Sequence, residues 1–277
     1  MGYFAQAQPL PLAKERAVTY IFSQVSQMRE LISANNLHKS FAGLHAVKGV
    51  TLQVNSGEVV GFLGPNGAGK TTTMRMLTGF LDPSEGSVLL DGFSLADDPL
   101  AAQKTFGYLP EGAPAYPEMT VRDYLQFIAR ARGIPRREIA GKIGEVAGRM
   151  HLRGVLDQVI ETLSKGFKRR VGIAQAIIHD PPILIMDEPT DGLDPNQKHE
   201  VRELIRAMGS TKAIVLSTHI LEEVEAVCTR AVVIASGRVV FDGTPEEFEL
   251  LAPASVTRNR MDYVFRQLTA TAAEVTL

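Results

Sequence analysis

The sequence holds one cysteine, Cys228, and no tryptophan. A lone thiol cannot close an intrachain disulfide or build a Cys-rich zinc site, and that usage fits a reducing compartment. Long apolar runs are missing too. The best stretches, at 183–186 and 213–217, are strand-sized, far short of the ~18 to 20 residues that cross a bilayer as a helix. The chain is therefore expected not to span a membrane by itself. Lys14 and Arg16 precede the apolar residues 17–22, a stretch shorter than the ~7 to 15 residues of a secretory h-region. Gln6 stands where a myristoylation pattern after Met1-Gly2 needs Ser or Thr. No basic excess exists either: Lys and Arg total 29 against 31 Asp and Glu, a formal net charge of -2. A nucleic-acid backbone is not the expected partner.

What is present is a globular composition. The 277 residues are 45% hydrophobic and 22% charged, which excludes a disordered or collagen-like chain. Residues 1–32, rich in Ala, Gln and Ser with Pro9 and Pro11, read as an N-terminal extension, either a mobile arm or a short helix. From 33 to 250, short β-branched runs alternate with Gly-rich turns and helical stretches, the pattern of an α/β domain. Strands are expected at 51–54, 59–63, 87–90, 183–186, 213–217, 232–235 and 239–241, and residues 251–277 form a tail. A helical insert occupies about 112–165. In it Thr120 caps a helix whose apolar face is Val121, Tyr124, Leu125 and Ile128, stopped by Gly133 and Pro135. A second helix runs through Ile139, Ile143, Val146 and Met150.

Gly64-Pro65-Asn66-Gly67-Ala68-Gly69-Lys70-Thr71-Thr72 follows an apolar strand and opens a helix, the context a Walker A loop requires. Glycines let the backbone aim its N–H groups at an anion, and the helix N-terminus adds partial positive charge. Lys70 is placed to neutralise phosphate oxygens, and Thr71 offers a hydroxyl to Mg²⁺. Farther on, four apolar residues end in Asp187-Glu188, as at the C-terminal end of a central parallel strand. Asp187 would hold Mg²⁺ and Glu188 would orient or deprotonate a water.

These blocks, in this order, resemble the ATP-binding subunit of ABC transporters. The resemblance rests on the Walker loop, on Leu163-Ser164-Lys165-Gly166-Phe167, on Leu184 to Glu188, on Gly192-Leu193-Asp194 and on Ser217-Thr218-His219. It covers about 34–247. It implies a P-loop ABC ATPase fold: a mixed sheet with an antiparallel β subdomain and a helical subdomain. ATP and Mg²⁺ are the implied cofactors, with Glu188 and His219 catalytic and Phe41 stacking on adenine. Ser164, Lys165 and Gly166 form a departure from the family's Leu-Ser-Gly-Gly-Gln signature, which closes over ATP held by another subunit. Asp194 matches the residue that crosses that interface, the lesser alternative being that Asp194-Pro195 is just a helix-initiating turn. Glu111 replaces the family's usual Gln. An ionised Glu only accepts hydrogen bonds, so Glu111 could bind Mg²⁺ while losing any donor contact to water or phosphate.

The resemblance further implies a head-to-tail dimer with a second copy, and a separate polytopic membrane permease gripped by the helical insert. The expected location is the cytoplasmic face of the inner membrane. Export of the ABC-2 kind is the preferred direction, from the Leu-Pro-Glu variant, the Lys-containing signature and the short tail. An importer subunit and a non-transport ABC ATPase are the alternatives.

Overall fold

A computed structural model describes residues 29–274; most of the expected N-terminal extension lies outside them. Two sheets organise the rest. β1 (Glu30–Phe41) and β2 (Leu44–Asn55) form a hairpin and join β4 (Glu85–Leu90) and β5 (Phe93–Ser94) in an antiparallel sheet ordered β2-β1-β4-β5. β1 opens at Glu30, ahead of the expected domain start at 33. The second sheet, ordered β10-β9-β3-β8-β7-β6, is parallel through β3 (Val59–Leu63), β6 (Phe106–Leu109), β7 (Ile183–Asp187), β8 (Ala213–Thr218) and β9 (Arg230–Ala235). Only its edge strand β10 (Arg238–Gly243) runs antiparallel.

Every residue of β3, β7 and β8 is buried, as apolar runs covered on both faces should be. The strand period of two then sorts side chains into two cores. Ile183 and Ile185 pack with α1 (Lys70–Leu77) and the antiparallel sheet. Leu184 and Met186 face α3 (Val121–Ala131), α4 (Arg136–Arg149), α5 (Lys165–Ile177) and α6 (Pro195–Gly209). Helix α2 (Pro99–Lys104), capped by Asp98, buries Ala102 in the core shared by α1 and the antiparallel sheet.

The helical insert forms as its capping chemistry dictates. Thr120 accepts from the Asp123 amide at the start of α3, a cap worth about 1 kcal/mol. Val121, Tyr124, Leu125 and Ala129 are its buried face, whereas the expected Ile128 is only partly covered. Pro135 precedes α4, which buries Ile139, Ile143, Val146 and Ala147. Beyond Met150 the expected helix gives way to single turns at Arg153–Val155 and Ile160–Thr162. Helix α7 (Leu221–Val227) follows β8, and α8 (Pro245–Leu250) follows β10. The tail carries α9 (Arg260–Glu274), whose Met261 and Val264 pack with Phe248, Val233 and Leu63.

Candidate active site

In the second sheet β3, β8 and β7 are neighbours and parallel, so their C-terminal ends share one edge. That edge gathers the Walker loop after β3, Asp187-Glu188 at the end of β7 and Ser217-Thr218-His219 at the end of β8. Open parallel sheets bind ligands at such an edge.

The loop is shaped by close approach. A Cβ at Gly64 would sit 2.4 Å from the Ile234 carbonyl oxygen, and one at Gly69, with φ +108, 2.8 Å from that of Ala46. Lys70 reaches back across the turn, its Nζ donating to the carbonyls of Gly64 at 2.6 Å and Pro65 at 3.2 Å. Burial lowers its pKa, while the negative charges of Glu188, Asp187 and Glu111 pull it back up. The ammonium thus sits in the field of all three carboxylates. Thr71 and Thr72 are half-buried in the first turn of α1, with hydroxyls that have no protein partner among the described residues.

At the acidic end Ser217 Oγ donates to Asp187 Oδ1, and Asp187 Oδ2 is buried without a partner. An unpaired buried carboxylate oxygen is costly, and a hard oxygen donor is what Mg²⁺ takes. Asp187 and the Thr71 hydroxyl therefore fit that ion. Among the described residues no three His, Cys, Asp or Glu cluster as a metal site. Glu188 follows at φ +52, a left-handed conformation unusual for this residue type. Its amide donates to the Ser217 carbonyl at 3.1 Å, and its Oε1 lies 2.9 Å from His219 Nδ1. Beside an ionised Glu188, Nδ1 is the donor, and Nε2 is left free on an exposed ring.

The remaining expected residues lie in three further places. Phe41 is exposed at the β1–β2 turn with Lys39 Nζ 5.4 Å over its ring. Glu111 is exposed after β6 and makes no hydrogen bond or ion pair with the other site residues among the described residues, although its charge reaches Lys70, Tyr108 and Arg169. Burial foremost, with Asp187, pushes Tyr108 up to about 12. Ser164 caps α5 by accepting from the Phe167 amide at 3.3 Å. Lys165 pairs with Asp191 at 2.9 Å, and a Cβ on Gly166 would meet Gln197 Oε1 at 2.6 Å. Asp194 closes a capping box with Gln197 at the start of α6. The Ser164 block and Asp194 thus touch each other's neighbourhood, and no hydrogen bond or ion pair among the described residues ties them to the Walker loop.

Three groups were given no role by the sequence reading. Ser217 is the hydroxyl that fixes both Asp187 and Glu188. Arg169, buried in α5, spans Pro110 O at 3.5 Å and the Asp191 carbonyl at 3.5 Å. Burial lowers its pKa. Glu223, 2% exposed in the first turn of α7, accepts from Thr190 Oγ1 and, at 2.7 Å, from Thr218 Oγ1. Its signal was available: it shares a helix face with Val224 and Val227, where a carboxylate is out of place.

The family model described as "ABC transporter" matches residues 47–191. The ABC transporter ATP-binding protein NatA of Bacillus subtilis (strain 168) is 40% identical over 203 residues, 73% of this chain and 82% of that protein. The Nod factor export ATP-binding protein I of Cupriavidus metallidurans is 36% identical over 221 residues, 79% of this chain and 73% of that protein. A dimeric, post-hydrolysis structure of the ATP-binding cassette MJ0796 with ADP and Pi superposes with a TM-score of 0.72 at 23% identity, covering 78% of this chain and 99% of that one, a likeness of fold. The chain belongs to the ABC transporter family, as an ATP-binding subunit that hydrolyses ATP.

Proposed function

We propose that this subunit closes on a second copy around Mg-ATP and so drives export through a separate membrane-spanning partner. The observation that carries the reading is the Glu188–His219 pair at 2.9 Å, on the same sheet edge as Lys70 and the free oxygen of Asp187. The Walker backbone and Lys70 would bind the β- and γ-phosphates, Lys70 exchanging its two carbonyl partners for phosphate oxygens. Mg²⁺, held by Thr71 and Asp187, would supply charge neutralisation to those oxygens. Glu188, with one oxygen on His219, has the other to take a proton from the water that attacks the γ-phosphorus as the bond to ADP breaks. An imidazolium at His219, protonated on both nitrogens, would keep Nδ1–H on Glu188 and donate Nε2–H to the γ-phosphate. Phe41 would stack on adenine, and Glu111 would act beside the water or the metal.

Because Ser164, Lys165, Gly166 and Asp194 engage each other's surroundings and not the Walker loop, they are free to serve a nucleotide held by the second copy. Work on the partner follows if nucleotide binds the closed pair more tightly than the open one. No described helix is long and apolar enough to cross a membrane, in keeping with a subunit docked from the cytoplasm. Export is supported by the name of the Nod factor relative; the importer alternative is separated by the direction of transport in proteoliposomes.

Glu188→Gln tests the core of the proposal. It should bind ATP, lose about 10³-fold in kcat and give a dimer in light scattering. A variant that stays monomeric at saturating Mg-ATP would sink the composite site, and wild-type turnover would sink the assignment of Glu188.

A further inference from the structure

Glu223 is a buried carboxylate with no lysine or arginine paired to it among the described residues. Its two oxygens each take a neutral hydroxyl, from Thr190 and from Thr218. Burying a carboxylate on two neutral donors is expensive, and the helix face it occupies would be filled more cheaply by an aliphatic side chain. The two threonines explain its presence. Thr190 lies just beyond Glu188, and Thr218 immediately precedes His219. Thr218 Oγ1 also accepts from the Ile220 amide at 3.1 Å, which shapes the turn that carries His219. Ser217 braces the same two strand ends from the other side, through Asp187 and the Glu188 amide. Glu188 is held at φ +52, and such a backbone persists only where its surroundings over-determine it.

We propose that Glu223 is a positioning residue of the ATPase: its carboxylate clamps the turn after Glu188 to the strand end that carries His219, setting their contact. The inference rests on the assignment of Glu188 and His219 to hydrolysis. Glu223 touches no nucleotide; it acts through that pair. A glutamine at 223 keeps much of the clamp, because its carbonyl accepts from one threonine while its amide N–H donates to the other's oxygen. Alanine removes both arms and leaves two buried hydroxyls unsatisfied.

The test is steady-state kinetics with Mg-ATP on Glu223→Ala, Glu223→Gln and Thr190→Val, each alone and combined with His219→Ala, with thermal midpoints in parallel. Glu223→Ala should lower kcat by about tenfold to a hundredfold, the cost of a small displacement of reacting groups, with KM shifted by less than about twofold. Glu223→Gln should recover most of kcat. With His219 already removed, the loss from Glu223→Ala should shrink to about threefold or less, as expected of residues that act as a unit. Should Glu223→Ala not fold, Thr190→Val, nearly isosteric, should still lower kcat about threefold or more. Wild-type kcat in the folded Glu223→Ala or in Thr190→Val, or a full loss that persists beside His219→Ala, would overturn the clamp alone. Wild-type kcat in Glu188→Gln would overturn the pair's assignment and this inference with it.

Discussion

His179, in the turn after α5, puts Nε2 3.2 Å from the Phe106 carbonyl and buries Nδ1 without a partner. A carbonyl can only accept, so Nε2 carries the proton and Nδ1 is the bare lone pair. Burial, reinforced by Arg132, lowers its pKa from 6.5 to about 4. The folded chain thus holds this imidazole neutral, whereas the unfolded chain protonates it near pH 6.5. Stability from this group is full above pH 6.5 and lost as pH falls toward 4, by at most about 1.4 kcal/mol per pH unit. Denaturant midpoints at pH 7 and pH 5 should converge more closely for His179→Gln than for the wild type. An equal acid shift in both proteins would remove His179 from the cause. At this scale the sequence is readable where chemistry is local. Lys70 follows its own glycine turn, and Asp187-Glu188 ends its own apolar strand. Glu223 and Arg169 escape because each has a partner that only the fold brings near, Thr190 at 33 and Asp191 at 22 residues' separation.

The elements most legible beforehand are those buried on both faces. β7 and β8 are continuous apolar runs, and β3 ends in the glycine turn. β1 and the first part of β2 hide because they carry polar residues, with His38, Lys39 and Ser40 paired to Lys48, Val47 and His45, whereas the 51–54 end of β2 is legible. α9 went unread because its charges obscure the apolar stripe of Met261 and Val264. The start of α5 and the turn after β7 are joined by Lys165–Asp191, with Arg169 behind at 3.8 Å from the same Asp191 oxygen. Lys165 and Asp191 are 68% and 49% exposed, so the pair is worth no more than about 1 kcal/mol. Arg169 keeps Asp191 partnered when Lys165 leaves. If Lys165 serves the second copy's nucleotide, the two partners must differ in sign. In a Glu188→Gln background, Lys165→Gln should raise the ATP concentration at half-dimerisation, and Asp191→Asn, which frees Lys165, should lower it by up to about fivefold. A merely structural ion pair would shift both variants the same way, and light scattering across an ATP titration distinguishes the outcomes.

At the scale of the whole molecule, a groove of mixed apolar and polar lining lies open beside the Glu111 loop. A hollow of about 790 Å³ runs from the end of α1 past α2 to α3, lined by Phe80, Leu100, Tyr108, Pro110, Tyr124 and Arg132. Phe80 and Leu100 are 73% and 71% exposed, although the Phe80 ring keeps Tyr108 at 5.6 Å. Apolar side chains held out in water beside a cleft suit an amphipathic helix laid into it. The groove sits between the layer that carries the Walker loop and the helical insert, so a helix seated there would feel any motion of one against the other. A cytoplasmic helix of the membrane partner is the occupant that the proposed function requires. Phe80→Glu and Leu100→Glu change mainly exposed surface, so each should move stability by no more than about 0.5 kcal/mol. Either charge should nevertheless abolish co-purification with the membrane protein, because burying an unpaired carboxylate in an apolar contact is heavily disfavoured. Thermal midpoints provide the fold control. Undiminished co-purification of both variants would mean that the membrane partner grips another face.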